Sequence, residues 1–337
     1  MTAPDDNVVP AHVLAARARE ARKGNRSKAR TGPARIVDTD DWTAALLTKP
    51  NGTPIACTAN AIAILSRHPE WRGVLAFDEL RQAIVTTRPP PWDALDAPAS
   101  TVAGEWTDQD TTRLGAWLAR KYGLRLGREA VVDAVAVVAD RQRRHEIREW
   151  LDGLTHDGVP RVDSWLATYA GAQATPYAAS VGRWFLVSAV ARIYRPGCKV
   201  DTLPVLEGPQ GIGKSTLARV LFGDAWFSDT PIDLDSKDRF LALRACWALE
   251  FAELDSLGRA DANRIKSFLT STADTFRPPY GRSIVHVPRS CVFIGTTNHD
   301  DYLRDETGGR RFWPVRCGRI DLEALRRDRE RLWAEAV

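Results

Sequence analysis

The chain has 337 residues, 44% hydrophobic and 27% charged, with a net charge of +4; that length suits two domains of roughly 100–200 residues, and the composition is ordinary for a globular protein. No apolar run approaches the roughly 18–20 residues needed to cross a bilayer, and the polar N-terminus lacks a signal-peptide core, so a cytoplasmic protein is expected. Cys57, Cys198, Cys246, Cys291 and Cys317 are dispersed with no C-x-x-C pair, which argues against a disulfide framework and against structural zinc.

Residues 1–40 read as a flexible basic arm. Between Arg17 and Arg35 there are eight Lys/Arg against the single acid Glu20, interrupted by Gly24, Gly32 and Pro33. Such a segment either touches phosphates without specificity or only solubilises the chain. A mostly α-helical domain is expected over 41–198. Short helices are read at Ala61–Leu65 and over Asp78–Val85, before Pro89-Pro90-Pro91 breaks the pattern. Apolar residues at helical spacing then predict helices over Asp108–Tyr122, Arg128–Arg141, His145–Leu154, Val162–Tyr169 and Tyr177–Tyr194, the last ending at Pro196-Gly197. Arg183, Arg192, Arg195 and Lys199 form either a basic face or ordinary solvated helix charge.

From 199 to 337 the character changes to strands alternating with helices. Leu203–Leu206, Ala245–Phe251, Ser290–Thr296 and Phe312–Val315 are apolar runs of strand length, and this alternation predicts a parallel sheet with helices on its faces. The first run leads into Gly208-Pro209-Gln210-Gly211-Ile212-Gly213-Lys214-Ser215, the pattern of a phosphate-binding loop. Glycines let the backbone curl so that several N–H groups point at phosphates, and the helix continuing through Thr216 adds its positive end. The reading predicts an ATP and Mg²⁺ site, with Lys214 reaching the outer phosphates and Ser215 on the metal.

The run Cys246–Glu250 ends in an acid, with Glu253 and Asp255 just beyond. Glu250 is expected to serve the Mg²⁺ side, directly or through water, and Glu253 to orient the attacking water, although the two roles are exchangeable on sequence alone. Asn298, at the tip of Val292–Thr297, suits a hydrogen bond to the γ-phosphate and the water. Arg304, Arg310 and Arg311, beside Gly308 and Gly309, suit an exposed turn that projects positive charge, as an arginine finger or as a surface pair.

Several blocks in this order resemble the virulence-associated E family: Arg195–Lys199, Glu207–Thr216, Trp226–Asp229, Leu249–Leu254, Phe276–Arg282, Gly295–Asn298 and Thr307–Val315. That family is encoded largely by prophages, phage satellites and other mobile elements. It is related to superfamily 3 helicases and poxvirus-type primase-helicases within the AAA+ division of P-loop proteins. The resemblance, read from Trp42 onward, implies a P-loop NTPase sheet with helices on both faces, preceded by the mostly helical domain. The phosphate-loop strand would lie between the strands of Asn298 and Arg311. It further implies Arg310 and Arg311 acting from a neighbouring subunit of a ring, expected to be a hexamer. A hairpin bearing Arg277, Tyr280, Arg282, His286 and Arg289 would meet single-stranded or forked DNA, where basic groups with an aromatic suit phosphate contact and base stacking; a plain surface hairpin, or one that binds nucleotide, is the other reading. No primase acid cluster is visible, so a primase would be a separate partner. The sequence stops inside a helix-like pattern where relatives continue, so a C-terminal lid is expected to be missing. The activity implied is ATP-dependent DNA unwinding or translocation in replication of a mobile element; the alternative is a non-motor DNA-binding regulator or loader that uses ATP to assemble.

Overall fold

The structure is a computed structural model and describes residues 42–92, 103–234, 236, 240, 242–254, 259–276, 284–298 and 309–337. The basic arm over 1–40 lies outside these residues, as do Asp255, Arg277, Tyr280, Arg282 and Arg304. Contacts divide the chain at Ala44; Trp42–Ala45 is a 3₁₀ turn, and residues 45–337 form one unit.

Of the first three helices of this unit, the second is set by local capping chemistry. Helix α1 spans Thr58–Arg67. Further on, Thr107 and Asp110 exchange side-chain and backbone hydrogen bonds in a capping box that starts α2 (Asp108–Tyr122), and Gly123 ends it in the left-handed conformation. Helix α3 covers Arg128–Asp140. Between α1 and α2, the helix expected over Asp78–Val85 is absent: Leu75–Asp78 (β1) and Ala83–Thr86 (β2) pair as an antiparallel hairpin. The Asp78 carboxylate accepts the N–H groups of Leu80 and Arg81, both at 2.9 Å, and Gln82 takes φ +49°. This Asx-type turn reverses the chain where an apolar count alone suggests a helix. Strand β3 (Arg143–Arg144) joins β1 in parallel.

Helices α4 (Glu146–Asp152), α5 (Trp165–Ala170) and α6 (Pro176–Tyr194) follow. Thr175 caps α6, and Pro176 occupies its first turn, where a missing N–H costs nothing. Next come β4 (Leu203–Glu207), α7 (Lys214–Phe222), β5 (Phe227–Ser228), β6 (Ala248–Phe251), α8 (Arg259–Thr270), the antiparallel pair β7 (Ala273–Phe276) and β8 (Val285–Pro288), β9 (Val292–Thr297), β10 (Phe312–Arg316) and α9 (Leu322–Ala336). Five of these strands form an all-parallel sheet in the order β10-β4-β9-β6-β5. The phosphate-loop strand therefore lies between the strands of Asn298 and Arg311, as expected.

Both faces of this sheet are covered, which is why its strands read as nearly continuous apolar runs. Alternate residues point to opposite sides. Leu203, Val205, Leu249 and Phe293 pack with Ile265, Phe268 and Leu269 of α8 on one side. Leu206, Ala248 and Ile294 pack with Phe185, Leu217, Phe222 and Trp333, from α6, α7 and α9, on the other. Helices from the 146–194 region thus share a core with the sheet. Among the described residues no helix is long and apolar enough to cross a membrane.

Candidate functional site

At the C-terminal end of β4 the chain turns through Gly208, Gly211 and Gly213, at φ +152°, +82° and +98°. L side chains rarely adopt the values of the last two, and an added Cβ on Gly208 would also sit 2.8 Å from the Ile212 side chain. Helix α7 then begins directly at Lys214. The Lys214 side chain is buried and curls back over the loop. Its Nζ donates to the carbonyls of Gly208 (2.7 Å) and Pro209 (2.9 Å) and to Asn298 Oδ1 (3.2 Å). Asn298 follows the end of β9, whose Thr297 lies opposite Glu207.

Glu250 enters from β6, on the far side of β9. It is 3% exposed. Its Oε1 accepts hydrogen bonds from Ser215 Oγ and Thr296 Oγ1, both at 2.6 Å, while its Oε2 is buried with no hydrogen-bond partner. A buried carboxylate oxygen left unmatched is costly unless something occupies it. Glu253 lies three residues on at φ +52°, an uncommon conformation for a residue with a side chain and one that gathers at functional sites. Gln210, Gly211, Lys214, Ser215, Thr216, Glu253 and Asn298 line a common cleft of ≈ 320 Å³. On the β10 side, burial pushes the Cys317 thiol up to about 12 against the opposing pull of Lys214.

Residues 151–337, more than half of the chain, match the virulence-associated protein E-like domain. The chain belongs to this family. The match lies inside the range from Trp42 onward that the sequence motifs suggested and leaves residues 42–150 outside it. No curated protein matches the chain. Among solved structures, an apo form of the C-terminal region of NrS-1 is 14% identical over 77% of this chain, with a TM-score of 0.46, and an A-form apo structure of that region is 16% identical over 56%, with a TM-score of 0.43. The chain spans 65% and 47% of the lengths of these two structures.

In this virulence-associated E-like chain, the other expected residues that the structure describes, Arg310, Arg311, His286 and Arg289, do not line the cleft. Arg310 and Arg311 occupy a 3₁₀ turn at the start of β10, and Phe312 pairs with Leu203, the first residue of β4. They therefore lie at the opposite end of the sheet from the glycine loop, on the order of 15–20 Å away along the strands. Arg310 is exposed; Arg311 is half-buried, its Nε enclosed without a hydrogen-bond partner.

The expected hairpin exists as β7–β8. His286 is exposed on it, its Nδ1 2.5 Å from Thr275 Oγ1. Arg289, expected as a DNA contact, is instead 3% exposed. It pairs with Asp274 at 2.7 Å, donates to the Phe268 carbonyl, and lies 4.2 Å from the Phe268 ring centroid. The reason is its place where β8 gives way to β9, beneath the hairpin. Arg192, considered for a basic face, is fully buried and donates to the carbonyls of Val200 and Arg289. Thr296 is the site residue that no sequence argument singled out. Its signal was alternation on β9: two positions after Ile294, it shares a strand face with residues that look towards the α7 side.

Proposed function

We propose that the protein is a P-loop-type ATPase that acts on DNA in the replication of a mobile element. The observation that carries this reading is the convergence of Lys214, Ser215, Glu250, Thr296 and Asn298 on one glycine loop at the ends of three parallel strands. The donor set suits a nucleoside triphosphate with Mg²⁺. Ser215 Oγ and the orphaned Oε2 of Glu250 are the oxygens that would hold the ion, and a bound ion supplies charge neutralisation at the outer phosphates.

The chain's own groups divide the remaining work. Lys214 exchanges its loop carbonyls for phosphate oxygens, and the N-terminus of α7 adds its dipole. Thr296 fixes Glu250 so that the carboxylate stays aimed at the loop. Glu253 accepts a proton from the attacking water, which Asn298 helps to orient. Arg310 lies too far from its own loop to stabilise the transferred phosphoryl group, so it serves the loop of a neighbouring subunit in a homo-oligomeric ring. The β7–β8 hairpin, with His286 and the 277–283 connection, carries the DNA contact; Arg289 only anchors its base.

ATP hydrolysis with and without single-stranded DNA, measured beside Lys214→Ala and Glu253→Gln, tests this. DNA-stimulated turnover, lost in Glu253→Gln with ATP binding kept and lost in Lys214→Ala with binding weakened, is expected. ATP binding without turnover in the unaltered protein would sink the motor and leave a regulator that uses ATP to assemble. Absence of ATP binding would sink both.

A further inference from the structure

The strand that carries Glu250 is gripped at its entry by a turn that lies outside the family match. Just before β6, Arg244 reaches the β1–β2 turn. Its Nε donates to Arg81 O at 2.6 Å and its Nη2 to Gln82 O at 3.2 Å. The neighbouring Ala245 N–H donates to Leu80 O at 3.4 Å. Leu80 is 5% exposed and shares a core cluster with Trp247 and Ala248, where β6 begins. The guanidinium is a rigid planar fork, so its hold on two consecutive carbonyls fixes direction as well as distance. The turn is tied down from its own side too. Arg81 pairs with Glu146 at 3.0 Å, and Glu79 with Arg148 at 3.5 Å, both partners being on α4.

Backbone strain marks the same path. Among the described residues, the non-glycine positions with positive φ are Gln82 (+49°), Ala245 (+60°) and Glu253 (+52°). Gln82 and Ala245 stand on the two sides of this clamp. Ala245 and Glu253 flank the four residues of β6. Residues with side chains hold this conformation only where the surroundings over-determine it, and they gather at functional sites. Pairing with β5 and β9 fixes β6 laterally. The clamp fixes how the chain enters the strand, and so where it leaves it. Glu253, at that exit, lines the cleft of the glycine loop.

We propose that Arg244 is a positioning residue for hydrolysis: by clamping the β1–β2 turn to the entry of β6, it keeps the exit of that strand in the conformation that aims Glu253 into the loop cleft. The region 42–150, outside the family match, then supplies part of the geometry of the hydrolytic site without touching the nucleotide. This rests on the reading of Glu253 given above.

Steady-state ATP hydrolysis by the full chain with Mg²⁺ and single-stranded DNA, beside hydrogen–deuterium exchange on the same proteins, tests this. Arg244→Ala is expected to lower kcat about ten- to a hundredfold, the scale of a catalytic group misplaced by about 1 Å. The KM for ATP should stay unchanged, because Lys214 and Ser215 follow β4, which β9 separates from β6. Arg244→Lys keeps a donor for one carbonyl and should recover part of kcat. Exchange in Arg244→Ala should quicken in peptides spanning 79–82 and also in those spanning 248–254. An unaltered kcat, a KM that rises as kcat falls, or faster exchange confined to 79–82 would overturn the role of Arg244 and leave hydrolysis at the loop intact. If Arg244→Ala does not fold, Arg244→Lys carries the test, with the same fall in kcat at constant KM required on a smaller scale. An unaltered protein that does not hydrolyse ATP overturns the reading of Glu253, and the role of Arg244 with it.

Discussion

Removing the Asp274 carboxylate should destabilise the protein far more than an ordinary single substitution. Asp274 and Arg289 form an ion pair whose side chains are 8% and 1% exposed. Arg289 Nε lies 2.9 Å and Nη2 2.7 Å from the carboxylate oxygens, and the guanidinium also serves the Phe268 carbonyl. In Asp274→Ala the guanidinium loses its counter-charge but remains enclosed between Phe268 and Phe293. Breaking such a pair from one side costs about 3–5 kcal/mol, because an uncompensated charge stays buried. At roughly 2–4 °C per kcal/mol for a domain of 150–250 residues, the melting temperature should fall by about 6–20 °C. Taking out both partners, as in Asp274→Leu with Arg289→Met, should recover much of that loss, since an apolar replacement of a whole buried pair is often near neutral. Thermal and urea unfolding followed by circular dichroism measures both. A loss below about 1 kcal/mol in Asp274→Ala, or a double variant no more stable than the single one, would refute the reasoning.

Two further outcomes follow from backbone and titration. Gly171→Ala places a Cβ 2.5 Å from Arg319 O at φ +63°. It should cost about 1–3 kcal/mol in urea unfolding through combined strain and overlap, and an unaltered midpoint would show that the 171–319 contact yields freely. His145 caps α4 by accepting the Arg148 N–H on Nδ1, while its Nε2 is buried without a partner. Burial, and next Arg148, hold its pKa below the ordinary 6.5. The unfolded state therefore takes up the proton first, and stability should fall as pH drops below about 6.5 and on through the depressed value. His145→Asn keeps a cap and removes that dependence; the same acid slope in both proteins would count against it.

Much of the fold was legible because its elements obey local rules. Apolar residues at helical spacing announce the helices over 108–122 and 177–194, and the long apolar runs announce strands buried on both faces. The glycine loop, Glu250 and Asn298 were legible because they belong to strand ends, where the chain order of apolar runs already fixes their neighbourhood. The β1–β2 hairpin was not, since its cue was one carboxylate, Asp78, closing a turn inside an apolar stretch. Arg289 misled for a related reason. Charge on a hairpin strand suggests solvent, and only the three-dimensional position of Asp274 shows that the guanidinium points inward. Thr296 went unnoticed because its partner, Glu250, lies on another strand, 46 residues away.

Helix α9 has a consequence for how the glycine-loop region is made. The helix that follows the glycine loop ends at Phe222, and its last carbonyls are satisfied from α9: Arg329 donates to Leu221 O and Phe222 O, and Trp333 Nε1 donates to Leu221 O. The cation also sits at the negative end of the α7 dipole. These partners are separated by 107 to 112 residues, so the closing contacts are among the slowest kind to form. During synthesis the glycine loop is complete in sequence long before it is supported in space. A nascent chain has Lys214, Ser215 and Glu250 in hand but no finished seat for them until residues 322–336 have left the ribosome.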